Sequence, residues 1–302
     1  MMKTIQNPAV AELPPVGAGI DRKNSTFNQL LLSLKSIPVL VALVVLVTVV
    51  VLAAFAPVLG TVDPIAINPG GRFSPISEAY WLGSDAYGRD LYSRLLYGAR
   101  ISLIVGLGAA AASIAAGLVI GVVAGYLKVL DAIIMRVMDG VMAIPSILLA
   151  IALVSLTGAS LVTVLVAITV PEIPRVVRLV RSIILNVRSE AYVEAAVSLG
   201  TPTLRILTRH MVPNTIAPLI VQGTFIFASA ILTEATLSFL GAGLPTEIPS
   251  WGNMMADGRM YFQLYPGLVL YPGIVLALTL LSVNILGDVL RDVLDPKMAK
   301  RT

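Results

Sequence analysis

Leu161-Val-Thr-Val-Leu-Val-Ala-Ile-Thr-Val-Pro-Glu-Ile-Pro-Arg-Val-Val-Arg-Leu-Val-Arg-Ser-Ile-Ile-Leu185 is the stretch on which the architecture turns. Its first ten residues suit a bilayer. Its second half carries Glu172, Arg175, Arg178 and Arg181, and charged side chains at the centre of a spanning helix are costly. If the stretch crosses a membrane the chain has six spans; if not, five.

The other spans are plain. Residues 36–62, 101–127, 140–171, 211–233 and 260–287 contain no Asp, Glu, Lys or Arg. A bilayer core needs about 20 apolar residues in a helix rising 1.5 Å each. The block at 140–171 is long enough for more than one helix, and Thr157-Gly158-Ala159-Ser160 is a small, polar turn signal within it. We therefore split it, so that the second part runs into the arginine-rich stretch.

Charge bias decides between five and six. With six spans, Lys3, Arg22, Lys23 and Lys35, then Lys128 and Arg136, then the arginines from Arg175 to Arg209, then Arg291, Lys297, Lys300 and Arg301 fall on one side. Arg72, Arg89, Arg94 and Arg259 fall on the other. This is the positive-inside pattern with both termini cytoplasmic, and removing the fourth span would strand one basic cluster. The expected organisation is a cytoplasmic tail at 1–35, a first transmembrane helix at 36–62, an extracytoplasmic segment with an interfacial helix at 63–100, a five-helix core at 101–290 and a cytoplasmic tail at 291–302. Ala54-Phe55-Ala56 resembles a signal cleavage site, but the long preceding segment favours a retained helix.

Composition agrees with a membrane solvent. Of 302 residues, 57% are hydrophobic and 13% charged, and the mean hydropathy is +0.90. Soluble domains carry about 25% charged residues. The net charge of +4 is distributed at the ends of apolar blocks, which argues for membrane topology and against nucleic acid. With no cysteine there is no disulfide, zinc-thiolate site or Cys nucleophile. The lone His210 has no second His or Cys to complete a metal site.

Between the fourth and fifth spans lies a cytoplasmic loop at 186–214. It reads Ser189-Glu-Ala-Tyr-Val-Glu-Ala-Ala-Val-Ser-Leu-Gly200, then Thr-Pro-Thr-Leu-Arg-Ile-Leu-Thr-Arg-His-Met-Val-Pro213-Asn214. Ser189 suits an N-cap, Gly200 a helix stop at positive φ, and Thr201-Pro202 the start of a second helix. The punctuation alone describes an amphipathic helix-turn-helix at the membrane surface.

Here the residues resemble a family. Glu194-Ala195-Ala196, three residues, Gly200, nine residues and His210-Met211-Val212-Pro213 are similar to the EAA motif of bacterial ATP-binding cassette importer permeases. The match departs at His210 and Val212, where that family more often has Ile and Leu. The segments Leu82-Gly-Ser-Asp-Ala-Tyr-Gly-Arg-Asp-Leu-Tyr-Ser-Arg-Leu-Leu-Tyr-Gly-Ala-Arg-Ile-Ser-Leu103, Glu234-Ala-Thr-Leu-Ser-Phe-Leu-Gly-Ala-Gly243 and Pro249-Ser-Trp-Gly-Asn253 with Asp257-Gly-Arg259 resemble the C-type permease of dipeptide, oligopeptide and nickel importers.

The resemblance implies an all-α integral membrane protein of the type I importer fold in the bacterial inner membrane. It implies di- or oligopeptides as cargo, or alternatively nickel or another small solute. The implied partners are a B-type permease, two ATPase subunits and an external solute-binding protein. Tyr192, Glu194, Ala195, Ala196 and Gly200 would form the contact with the ATPase. No G-x-x-x-x-G-K-[ST] sequence occurs, so the chain lacks that device for ATP, and ATP with Mg would be used by the partners. An ion-gradient-driven transporter is the rival from another class.

Several residues carry local expectations. Asp85, Arg89, Asp90 and Arg94 have helical spacing and form a salt-bridged scaffold. Glu234 lies near the outer end of the fifth span and either lines the solute path or reaches interfacial water. Glu172, between Pro171 and Pro174, pairs with Arg175 or a neighbouring helix; Asp139 pairs with Arg136. Gly117, Gly121 and Gly125 form a small-residue stripe, facing either a partner permease or a helix of the same chain.

Overall fold

The computed structural model describes residues 36–294. The tail expected at 1–35 and the last eight residues of the one expected at 291–302 lie outside the described residues. Among the described residues nine helices carry the architecture: α1 (Ile37–Ala54), α2 (Leu91–Tyr126), α3 (Lys128–Met142), α4 (Ser146–Thr157), α5 (Leu161–Arg188), α6 (Ala191–Ser198), α7 (Ile216–Phe239), α8 (Trp251–Gly258) and α9 (Gly267–Leu294). Short turns of helix connect them.

Among the described residues, four helical runs are long and apolar enough to cross a membrane: Ile37–Ala54, Leu91–Tyr126, Thr203–Phe239 and Gly267–Leu294. The third expected span is not one straight helix. Ser146–Thr157 has 12 residues, about 18 Å at 1.5 Å each and short of a ~30 Å core. Together with Lys128–Met142 it makes a pair bent by 87°, which would be a fifth span. Pro145 stands just before α4, where its ring sets the φ of the entering chain.

α5 realises the stretch that opened the sequence. It runs unbroken from Leu161 to Arg188 despite Pro171 and Pro174. Ser160 caps it, accepting the Thr163 amide at 3.1 Å, and Gly158 turns the chain at φ 87°. Glu172, Arg175, Arg178 and Arg181 are each paired with an opposite charge. Arg175 meets Glu172 at 2.8 Å and Arg178 meets Asp139 at 2.6 Å. Arg181 grips Asp131 through both its Nε and, at 2.6 Å, its Nη2. Asp139 thus pairs with Arg178 across helices and not with Arg136, because α3 lies alongside α5. Opposite charges brought together in this way remove much of the cost that made the stretch look unsuited to a membrane.

α2 is the central strut. It begins ten residues before the apolar block, at Leu91, where Asp90 accepts the Ser93 amide at 2.7 Å as N-cap. At 36 residues it extends about 54 Å. The glycine stripe packs inside the chain. A Cβ at Gly117, Gly121 or Gly125 would stand 2.5, 2.7 or 2.7 Å from Val176, Val180 or Ile184 of α5. Higher up, Gly106 receives Ile231 and Phe227 of α7. Without Cβ atoms these backbones approach closely, so dispersion contacts replace a hydrophobic drive that lipid does not supply. α1 lies outside, against α9 and α2.

Candidate coupling loop and the polar cluster at the opposite end

Two polar regions sit at opposite ends of the bundle. The first is the loop after α5. Ser189 does not cap α6: its hydroxyl donates to the Asn186 carbonyl at 2.8 Å, closing the end of α5, and Glu190 holds the N-cap position. Pro202, not Thr201, precedes the turn of helix at Thr203–Ile206. A π-helical turn, Leu207–Met211, and a 3-10 turn, Val212–Thr215, lead into α7.

Gly200 ends α6 as expected, at φ 72°. The Gly200 amide donates to the Val197 carbonyl at 2.9 Å and the Thr201 amide to the Ala196 carbonyl at 3.1 Å. This double bond pattern satisfies two carbonyls that a helix end leaves open, and it requires a residue that tolerates the left-handed region.

The five residues expected at a partner contact do not share one fate. Ala196 is buried together with Val193 and turns into the chain's own core beside Val187, Ile206 and Met211. Tyr192, Glu194, Ala195 and Gly200 are exposed. Tyr192 is also tied back: its hydroxyl donates to the His210 carbonyl at 3.5 Å and accepts from Asn214 at 3.4 Å. Leu199 and Leu204, which sequence reasoning passed over, are 85% and 72% exposed at the tip. The core beneath α6 continues through Ile184, Val180 and Val176 to Ile226 of α7, an apolar column from loop to mid-bundle. Arg188 donates to the Tyr126 carbonyl at 3.0 Å, clasping the loop to the end of α2.

The second region joins sequence blocks far apart. No interfacial helix forms at 85–90; the chain makes a tight turn there, bridged between Ser84 and Asp90. The Asp85 carboxylate accepts the amides of Tyr87 at 2.8 Å and Arg89 at 2.9 Å, a local arrangement that competes successfully with helix. Asp85 and Asp257 flank Arg89 at 2.6 and 2.7 Å and Arg94 at 3.8 and 3.5 Å. Arg94 is 1% exposed, so its charge depends on these two carboxylates.

Glu234 lies one step deeper and is fully buried. Its Oε1 accepts from Ser250 at 2.8 Å and Ser238 at 2.9 Å, and its Oε2 accepts from Ser102 at 3.5 Å. Ser250 also caps α8 by accepting the Asn253 amide at 3.1 Å. The Asn253 side chain holds the preceding loop by donating to the carbonyls of Pro245 at 2.8 Å and Ile248 at 3.0 Å. Trp251 is buried and donates to the Leu95 carbonyl at 3.3 Å. α2, α7 and α8 are thereby locked together. The serines and Asp257 had no signal in the sequence beyond lying inside the quoted blocks.

The model of the family described as binding-protein-dependent transport system inner membrane component matches residues 117–300. The chain belongs to this family. As a transport system inner membrane component it is a multi-pass protein of the cytoplasmic membrane, and its fold is that of a helical membrane permease. The match takes in α5, the loop with Glu194-Ala195-Ala196 and the buried Glu234, but starts below the turn at Asp85.

Relatives extend the similarity across that turn. The chain is 52% identical to the probable peptide ABC transporter permease protein of Sinorhizobium fredii, over 83% of this chain and 86% of the relative. It is 42% identical to the dipeptide transport system permease protein of Alkalihalophilus pseudofirmus, over 86% of each. The oligopeptide transport system permease protein of Bacillus subtilis is 36% identical, again over 86% of each. These inner membrane components are transport subunits, and the two polar ends of this one are to be understood as parts of a transporter.

Proposed function

We propose that the chain is one of two permease subunits of an ATP-binding cassette importer that moves di- or oligopeptides into the cell by alternating access. It works beside a B-type permease, two ATPase subunits and an external solute-binding protein. ATP and Mg act on the ATPase subunits, and this chain binds no cofactor. Six spans, with α5 as the fourth and the α3–α4 pair as the third, put both termini and the loop after α5 in the cytoplasm, in keeping with the basic residues of that side.

The observation that carries this reading is the mounting of α6. Val193 and Ala196 anchor it on the apolar column, while Glu194, Ala195, Val197, Leu199 and Leu204 face outward as a small, largely apolar tip. Such a tip fits a cleft on another subunit, and its rigid base passes displacement into α5 and α7 instead of absorbing it. Peptide as cargo is supported by what the relatives are named for. An ion-gradient mechanism gains little from the buried acids, since Glu172 is held by Arg175 and Glu234 by three serines.

The test is uptake of labelled peptide by the complete complex after the phosphate-binding lysines of the ATPase subunits are replaced. Uptake is expected to stop. Persistent concentrative uptake would overturn the reading in favour of an ion-driven transporter.

A further inference from the structure

Tyr97, Arg100, Ile101 and Ile104 share one face of α2 and line a cavity of about 590 Å³ whose other wall includes Asp63 and Pro249. The volume lies in the ordinary range of small-molecule sites, about 300 to 1,000 Å³. What distinguishes the cavity is its charge. Arg89 and Arg94, at the start of the same helix, are each held by Asp85 and Asp257. Arg100 is half-buried, and among the described residues its partner is the Tyr97 ring, 5.8 Å from the guanidinium. The Asp63 residue is exposed across the cavity, and among the described residues the hydrogen bond its carboxylate takes part in is the one it accepts from the Ile65 amide at 3.0 Å. Cation and anion thus stand on separate walls of one cavity without pairing to each other.

Arg100 is nine residues beyond Leu91, about 14 Å down the helix. It is also the residue just before the uncharged block at 101–127, so the cavity opens where the helix enters its apolar span. The face continues below it through Ile104, Leu107, Ala111 and Ala115, all exposed. That strip leads from the cavity along α2 toward the loop end, and its alanines keep the helix surface narrow.

We infer that this cavity is a docking site for a short zwitterionic peptide at the mouth of the translocation path. Arg100 takes the terminal carboxylate and Asp63 faces the terminal ammonium. A guanidinium presents a planar fork that matches a carboxylate with two parallel hydrogen bonds. The inference rests on the peptide reading above and adds to it the end of the peptide that the permease recognises.

The experiment uses the complete complex, with its binding protein, in lipid vesicles supplied with ATP. The probe is a mixture of di- and tripeptides, each present as free acid and as C-terminal amide, with imported species counted by mass spectrometry. For the unchanged chain free acids are expected to dominate. Arg100→Gln should lower the ratio of acid to amide by about tenfold or more, the size of one lost charged hydrogen bond, and Arg100→Lys should keep most of it. Co-purification with the partner subunits shows that the variants assemble.

A ratio that does not move in Arg100→Gln overturns the assignment, including the case in which amides stay out of both complexes. Equal loss of acids and amides overturns it as well, since that is the mark of a structural residue or of one bound to lipid phosphate. If the unchanged complex hydrolyses ATP but imports no peptide, the cargo reading falls and this inference with it. Normal import that is indifferent to Arg100 leaves the cargo reading standing.

Discussion

Arg89 donates through Nη2 to Asp257 at 2.7 Å, across 168 positions of sequence. The bond ties the turn that precedes α2 to the end of α8, and Arg94 reaches the same carboxylate oxygen at 3.5 Å. Two arginines and two aspartates form a neutral group with little solvent. The arrangement is unforgiving, because loss of one member leaves the others buried and uncompensated.

Arg94→Met should therefore destabilise the protein strongly. The expected loss is about 3 to 5 kcal/mol, the usual cost of breaking a buried pair from one side. Thermal unfolding of the purified complex in detergent measures it. A midpoint within a degree or two of the unchanged protein would show that the group contributes little.

Gly200 separates backbone strain from packing. A Cβ there meets no atom within 4 Å, yet φ is 72°. Gly200→Val should cost about 1 to 2 kcal/mol through the left-handed backbone alone, shifting the loop tip without disturbing the core. Peptide imported per ATP hydrolysed is expected to fall about tenfold, the equivalent of ~1.4 kcal/mol at the coupling step. Gly200→Asn should retain most of the coupling, since Asn tolerates this region. An unchanged ratio in the valine variant would remove the loop from the coupling role.

Gly121 and Gly140 form a matched pair for testing helix packing. At Gly121 a Cβ would lie 2.7 Å from the Val180 side chain and 3.0 Å from the Val177 carbonyl, while at Gly140 it meets nothing within 4 Å. Gly121→Ala should destabilise by about 1 to 3 kcal/mol through overpacking, and Gly140→Ala should be neutral or slightly favourable. Unfolding midpoints of the two variants, compared in one detergent, decide it; equal midpoints would contradict the packing of α2 on α5.

Glu234 is expected to matter for stability and not for selection of cargo. Glu234→Leu leaves Ser102, Ser238 and Ser250 without their shared acceptor, at about 1 to 3 kcal/mol for each hydroxyl that finds no other partner. Glu234→Gln keeps an acceptor and should be milder. In the glutamine variant the profile of imported peptides, acidic against basic, should match that of the unchanged chain. A shift in that profile would place Glu234 in the solute path after all.

Much of the fold was legible because lipid imposes a simple rule on sequence. Uncharged blocks of sufficient length at 36–62, 101–127, 211–233 and 260–287 each contain most of a helix, and the turn at Gly158 falls where small polar residues interrupt an apolar run. Helix ends were less legible. α2 starts at Leu91 because Asp90 caps it and because Arg94 is neutralised by distant Asp257, a partner that no local window contains. The loop was recognised from Glu194-Ala195-Ala196 and Gly200, but that Ala196 turns inward while Leu199 and Leu204 turn outward follows from how α6 sits on Ile206 and Met211.

The sequence by itself determined that this chain crosses a membrane, roughly where it does so, and to which family it is related; apolar length and a spaced motif are local properties, readable residue by residue. Only the tertiary structure decided how a charged segment serves as α5, which carboxylate each arginine finds, and that Glu234 is buried among three serines. Those outcomes depend on the sum of charges and shapes that meet across helices, and a buried charge is tolerated or forbidden according to its partner, which for Arg89 stands 168 residues away.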